Sequence, residues 1–206
     1  MIAIFLLAYL LMFVIIESLQ KLVFKKTQWS RKAAHIGMGI IVFLMPLYLS
    51  KIEIIIIAIG FTVVLTISKY KQILSLHKVE RKTIGEVLYP ASIGIIAAIS
   101  LPQNVEAFQA GALSLAFADG FAAVVGTSFP IKQFKVFKNK KSIGGSLTFA
   151  IIASLIIISF PSMQDVNPLL KIMFVILLTL SEFFLIFGLD NLFIPLFAAL
   201  FFLITT

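Results

Sequence analysis

Long apolar stretches alternate with short polar segments along the whole chain. The apolar stretches are Ile2–Ile16, Ala33–Leu49, Ile52–Ile67, Val87–Leu101, Ala107–Val125, Ser146–Phe160, Ile172–Phe187 and Leu192–Ile204. A helix that crosses a bilayer needs about 20 mainly apolar residues. Several stretches are shorter, so we expect their helices to continue into the flanking residues. The pattern predicts an all-α polytopic membrane bundle of about eight transmembrane helices, with seven as the alternative.

The composition favours a membrane protein over a soluble one. Hydrophobic residues make up 61% of the 206 residues and charged residues only 13%, whereas soluble domains average about 45–50% and about 25%. No polar linker or repeat divides the chain, so we expect a single membrane domain over residues 1–206. The first stretch lacks a signal-peptide pattern and should remain as a helix. The absence of cysteine excludes disulfides and thiolate chemistry.

The basic residues predict the orientation. Fifteen of the 17 lysines and arginines lie in the first, third and fifth loops, and only Lys51 and Lys171 lie in the even-numbered loops. The positive-inside rule places the odd loops in the cytoplasm and both termini outside. The net charge of +8 is then explained by loops beside anionic lipid. We expect a multi-pass cell-membrane protein with no nucleic-acid partner.

Two carboxylates lie inside apolar stretches, where an ionisable group is costly and usually functional. Asp119 precedes Gly126 by seven residues and Glu182 precedes Gly188 by six, so both are expected about 10 Å below the cytoplasmic helix ends. They could share a cation. The alternative is that each is paired with a buried lysine or a backbone group. Small residues around Asp119 predict a tightly packed helix.

Further polar residues collect at the predicted cytoplasmic helix ends. Arg31 and His35 are four residues apart and share a helix face, although an interfacial packing role is open for His35. The other groups are Arg81 with Glu86, the short last loop with Asp190 and Asn191, and the segment Lys140-Lys141-Ser142-Ile143-Gly144-Gly145-Ser146. Lysine charge, glycines and a helix start suit phosphate oxygens, with an ordinary basic loop as the alternative. Known soluble nucleotide motifs and a hydrolase nucleophile elbow are absent from the sequence.

These motifs, taken in order, resemble the signatures of the phytol kinase and dolichol kinase family. They are Arg31-Lys32-x-x-His35, Arg81-x-x-Gly85-Glu86 with Tyr89-Pro90, the run from Phe117 to Gly126, Lys141-Ser142-x-Gly144-Gly145-Ser146, and Glu182 with Gly188-x-Asp190-Asn191-x-x-x-Pro195. The chain departs from the family pattern at Gly144, where a glutamate is usual.

The resemblance implies a CTP-dependent kinase that phosphorylates a membrane-dissolved isoprenoid alcohol, such as phytol, geranylgeraniol or a polyprenol, at the cytoplasmic face. On that hypothesis Asp119 is the first Mg²⁺ ligand, assisted by Asp190 or Glu182. The expected phosphate contacts are Arg31, Arg81, Lys140, Lys141 and the Ser142–Gly145 segment. Glu182, Asp190 and His35 are the candidate bases, and Asn191 would hold a carboxylate or the cytosine edge.

Three other functions remain open from the sequence. Phosphatidate cytidylyltransferases share the aspartate and Lys-Ser theme but usually carry His-Gly-Gly-x-x-Asp-Arg, where this chain has Phe187-Gly188-Leu189-Asp190-Asn191. A small transporter could use Asp119 and Glu182 as an ion site, but no paired inverted halves are evident. A non-catalytic scaffold would not need these carboxylates beside three basic loops.

Overall fold

Every predicted apolar stretch forms a helix in the computed structural model, which describes residues 1–22, 28–71, 83–136 and 139–206. The helices are α1 (Ile2–Leu22), α2 (Gln28–Leu44), α3 (Lys51–Tyr70), α4 (Gly85–Ser100), α5 (Val105–Leu113), α6 (Gly120–Ser128), α7 (Ile143–Ser159), α8 (Pro168–Phe184) and α9 (Asp190–Thr205). The predicted helical class is confirmed. Most helices extend beyond their apolar stretch at one end or both. This agrees with the expectation that the shorter apolar stretches continue into their flanking residues.

Polar side chains fix where several helices begin. Ser50 accepts a hydrogen bond from the backbone N–H of Glu53, and the Glu53 carboxylate accepts one from the backbone N–H of Ser50. Asn104 accepts a bond of 2.8 Å from the backbone N–H of Ala107. Each such cap satisfies backbone donors that the helix leaves unpaired, and is worth about 1 kcal/mol.

The central helix carries Asp119. A wide π-turn, Ser114–Asp119, joins α5 to α6 into one continuous helix. Such turns occur often at functional sites. A Cβ added to Gly39 would lie 2.0 Å from the Cβ of Ala116, so only glycine lets α2 pack this closely. The helix that carries His35 is therefore held directly against the turn that carries Asp119.

The remaining helices surround this centre. Helices α2, α4, α7 and α9 contact the central helix, while α1 packs on α2, α3 packs on α4, and α8 packs on α7 and α9. One outward face of α3 exposes Ile52, Ile56 and Ile59 by 67%, 60% and 58%. Among the described helices, Lys51–Tyr70 and Val105–Ser128 are long and apolar enough to cross a membrane. The fold is consistent with a helical membrane protein, and the number of crossings and their orientation stay predictions.

The fifth loop contains strand structure that the sequence did not predict. Strands β1 (Gln133–Val136) and β2 (Asn139–Ser142) pair antiparallel, with Gln133 opposite Ser142 and Val136 opposite Asn139. Lysines interrupt the apolar positions, so the alternation is too short to indicate strands by itself. The hairpin leads directly into α7, because Ser142 ends β2 and caps that helix.

The end of α8 also differs from the prediction. This helix stops at Phe184, because Leu185 is extended, with φ of −73° and ψ of 130°. Phe187 and Gly188 then adopt left-handed backbone angles, with φ of 59° and 92°. Glu182 is therefore two residues from its helix end, and its depth relative to that of Asp119 stays a prediction. Asp190 and Asn191 form the first turn of α9 instead of a loop.

Candidate active site

A cavity of about 630 Å³ joins a polar region to an apolar one. The polar region is lined by Lys32, His35, Glu86, Asp119, Lys141, Ser142, Ser146, Glu182, Asp190 and Asn191. The apolar region continues between α1, α2, α3 and α4. Binding pockets commonly measure about 300–1,000 Å³ and carry a few converging polar groups. This cavity suits a molecule with a polar head and a long apolar tail.

Asp119 is buried at the centre of the polar region with two basic neighbours. The Lys32 ammonium lies 2.5 Å from Asp119 Oδ2, and His35 Nε2 lies 3.6 Å from the same oxygen. Asp119 and Lys32 are only 3% and 8% exposed. Removing one partner from a buried ion pair leaves an uncompensated charge. The pair thus fixes the Asp119 carboxylate in position against Lys32.

Glu182 forms a second ion pair on the other side of the cavity. The Lys141 ammonium binds its carboxylate and also donates to its backbone carbonyl at 2.5 Å. Ser146 donates a further bond of 3.2 Å to the other carboxylate oxygen. Because Ser146 lies on the first turn of α7 and Lys141 on β2, Glu182 ties the hairpin and α7 to the end of α8.

Each of the two carboxylates is paired with a lysine, Asp119 with Lys32 and Glu182 with Lys141. This is the alternative to a shared cation that the sequence left open. Among the residues that the structure describes, no group of three or more histidine, aspartate or glutamate side chains could hold a metal ion without further ligands. Lys32 was missed as a site residue, although it stands three residues before His35 at the start of an apolar helix. Residues three apart share a helix face, so the spacing of Lys32 from His35 could have indicated that both side chains belong to the site.

Asp190 joins these two pairs into one electrostatic group. The charges of Asp119, Lys32 and Lys141 all act on the Asp190 carboxyl, and Lys141 also acts on Asp119. Asp190 Oδ1 accepts a bond of 3.1 Å from the backbone N–H of Asn191. Two predicted metal ligands, Asp119 and Asp190, thus lie within electrostatic range of each other.

Asn191 lines the cavity and binds the start of α4 through its amide nitrogen. Its Nδ2 donates a bond of 2.7 Å to the carbonyl of Gly85. A Cβ added to Gly188 would lie 2.2 Å from the nitrogen of Gly85, so glycine is required there by space as well as by its φ of 92°. The backbone N–H of Ile84 donates to the carbonyl of Phe187 at 3.0 Å. These contacts position Asp190 against the Gly85-Glu86 motif.

Glu86 and Tyr89 form the wall of the cavity that faces α2 and α3. The Glu86 carboxylate is 2.8 Å from the Lys69 ammonium. The Tyr89 ring meets the His35 ring edge-on, with centroids 4.4 Å apart, and its hydroxyl donates to the His35 carbonyl at 3.4 Å. His35 is therefore held between Asp119 and Tyr89, where the polar and apolar regions meet.

The predicted phosphate segment forms the start of α7 beside the cavity. Ser142 Oγ accepts a bond of 3.1 Å from the backbone N–H of Gly145 and lies 3.3 Å from the carbonyl of Gly126. Gly145 lines the cavity and Gly144 does not. A Cβ at Gly144 would instead approach the carbonyl of Phe129 at 3.3 Å. Gly144 stands where the family usually has glutamate. Because this position does not line the described cavity, the glycine leaves the cavity lining unchanged.

Gly126 and Gly145 let α6 and α7 touch, which suggests a first test. A Cβ at Gly145 would lie 2.9 Å from the Ala122 carbonyl and 3.2 Å from Gly126 Cα. Gly145→Val should lower the free energy of unfolding by about 1–3 kcal/mol through overpacking, measured by circular dichroism melting in detergent. Gly60→Ala is the control, because nothing lies within 4 Å of its added Cβ. A melting temperature unchanged by Gly145→Val would show that this contact is loose.

Some predicted site residues lie outside what the structure describes. Arg81 is beyond the described residues altogether. The backbones of Arg31 and Lys140 belong to α2 and β2, but their side chains are not described. Their phosphate contacts stay predictions.

Comparison with known proteins agrees with these motifs. No protein-family model and no solved structure matches the chain. It is similar to the phytol kinase of Synechocystis sp., with 30% identity over 195 residues that cover 89% of this chain and 82% of that protein. On this evidence the chain belongs to the phytol kinase family.

Proposed function

We propose that this protein phosphorylates an isoprenoid alcohol, such as phytol or geranylgeraniol, with CTP as the donor. The observation that carries the proposal is a continuous cavity with ion pairs at one end and an apolar region at the other, in a chain similar to a phytol kinase. A nucleoside triphosphate and an isoprenoid tail need these two environments. CTP, in preference to ATP, follows from the resemblance to CTP-dependent family members.

The alcohol would lie with its tail in the apolar region and its hydroxyl beside His35. Its oxygen attacks the γ-phosphorus of the donor, the bond from that phosphorus to the β–γ bridging oxygen breaks, and CDP leaves. The alcohol proton passes to His35 Nε2, which lies 3.6 Å from Asp119 Oδ2. Phosphoryl transfer depends mainly on positioning and charge stabilisation, so a strong base is not required.

Charge on the transferred group would be stabilised by the lysines of the polar region. Lys141 already lies within range of both Asp119 and Asp190. Its ammonium is bound to Glu182, which holds it at the cavity wall. We propose further phosphate contacts from Lys140, Arg31 and Arg81, because these residues belong to the motifs that resemble the family.

The donor set fits Mg²⁺ when phosphate oxygens complete it. Asp119 and Asp190 supply hard carboxylate oxygens in one cavity, and Mg²⁺ usually takes one or two carboxylates together with substrate phosphates and water. The ion would neutralise negative charge on the phosphates.

The proposed placement in the cell has the polar region at the cytoplasmic face. CTP then enters from the cytoplasm, and the alcohol enters from the bilayer. The positive-inside distribution of lysine and arginine supports this orientation.

The test is product analysis of the purified protein in detergent. The protein is incubated with Mg²⁺, geranylgeraniol or phytol, and each nucleoside triphosphate in turn, and lipids and nucleotides are identified by mass spectrometry. We expect prenyl monophosphate and CDP. A CDP-lipid with pyrophosphate, formed when phosphatidate is supplied and no alcohol is phosphorylated, would instead assign the chain to lipid cytidylyl transfer.

A further inference from the structure

The apolar region of the cavity has a defined length. We call it the apolar arm and define it by Met38, Val42 and Met45 on and just after α2 and by Ile54, Ile57 and Phe61 on α3, all of which line the cavity. His35 marks where the arm leaves the polar region, and Met45 is ten residues further along the chain. At about 1.5 Å per residue this gives an arm of about 15 Å.

The far end of the arm is closed. Met45 and Ile54 are 1% and 0% exposed. Beyond them, Phe5, Leu49 and Leu101 belong to the same buried hydrophobic cluster. A tail that reaches Met45 therefore meets packed side chains and has no further space along the arm.

One side of the arm is closed by a contact between α1 and α3. The rings of Tyr9 and Phe61 lie 4.9 Å apart, and the Tyr9 hydroxyl donates to Met45 Sδ at 3.7 Å. Thioether sulfur is a weak acceptor, so aromatic packing is the larger part of this closure. At the level of Met45, a tail would have to separate these two rings to leave sideways.

Resting on the proposed function, we propose that Met45, Ile54 and the Tyr9–Phe61 contact set the maximum chain length of the isoprenoid alcohol. A carbon–carbon bond is about 1.5 Å long and an extended chain advances about 1.25 Å per bond. An arm of about 15 Å therefore takes about 12 bonds, or three isoprene units of four bonds each. Geraniol and farnesol fit, and the fourth unit of geranylgeraniol reaches the end wall at Met45 and Ile54. A polyprenol as long as undecaprenol does not fit.

The experiment compares turnover of geraniol, geranylgeraniol and undecaprenol. Ile54→Phe fills the end of the arm, and should lower kcat/KM for geranylgeraniol by about 10- to 200-fold relative to geraniol, the range seen for small steric changes in apolar pockets. Ile56→Phe is the matched control, because it makes the same change on the same helix at a side chain that is 60% exposed. It should leave the ratio unchanged.

A second variant enlarges the arm and should favour longer alcohols. It keeps the length limit testable if Ile54→Phe does not fold. Met45→Ala with Tyr9→Ala removes both the end wall and the side contact, and should raise the kcat/KM for undecaprenol relative to geranylgeraniol. Wild-type protein that uses undecaprenol as well as geranylgeraniol, or variants that change all three alcohols equally, would overturn the length limit while the kinase activity stands. Phosphorylation of none of the alcohols would overturn the proposed function and this inference with it.

Discussion

Replacing Asp119 by asparagine should reduce phosphorylation of geranylgeraniol by at least about 10²–10³-fold, the effect of losing one group that stabilises transition-state charge. Asparagine has nearly the same size as aspartate, so the cavity keeps its shape. The charge is what changes, and with it the proposed Mg²⁺ ligand and the partner of Lys32 and His35. The measurement is prenyl monophosphate formation at saturating CTP and Mg²⁺.

The control must separate catalysis from stability, because the same substitution leaves Lys32 buried beside a neutral amide. Breaking a buried ion pair on one side costs about 3–5 kcal/mol. The double variant Asp119→Asn with Lys32→Met removes both charges and should recover most of the melting temperature. It should recover none of the activity. A double variant that regained turnover would show that Asp119 acts only as a structural partner of Lys32.

The sequence predicted the helices well because lipid-length apolar stretches are a local signal. It also predicted that Asp119 and His35 belong to one site, since an ionisable group in an apolar stretch needs partners. It did not predict which basic residue of the first loop reaches Asp119. Arg31 was predicted as a phosphate contact and stays so, while the structure brings Lys32 to the carboxylate, a contact that depends on how the helices pack.

The features that the sequence missed depend on distant contacts. The segment after α8 contains the left-handed residues Phe187 and Gly188, and Gly188 lies against Gly85 in another part of the chain. The hairpin before α7 is anchored in the same way, because Lys141 pairs with Glu182 across 41 residues. The sequence left open whether the two carboxylates share a cation or pair with lysines, and the structure pairs each with a lysine. One-dimensional spacing does not contain these pairings.

Replacing Lys141 by methionine should be comparably damaging, for a different reason. This lysine is the charged group of the phosphate segment that the structure describes in the cavity wall, and we expect about 10²–10³-fold lower turnover when a donor to the transferred phosphate is lost. The loss should appear in kcat more than in KM if the contact strengthens in the transition state. Lys51→Met, at the start of α3 and outside the cavity lining, is the matched control and should retain activity.

Glu182 provides the second half of this test. Lys141→Met leaves the Glu182 carboxylate buried, with Ser146 still donating to it, so the single variant should also be less stable. Adding Glu182→Gln removes that uncompensated charge and should restore the melting temperature without restoring turnover. Lys141→Arg keeps the charge but changes its geometry, and should retain part of the activity. If Lys141→Met keeps wild-type kcat while Lys51→Met does too, the phosphate contact lies elsewhere, and the basic residues to test next are Arg31, Arg81 and Lys140.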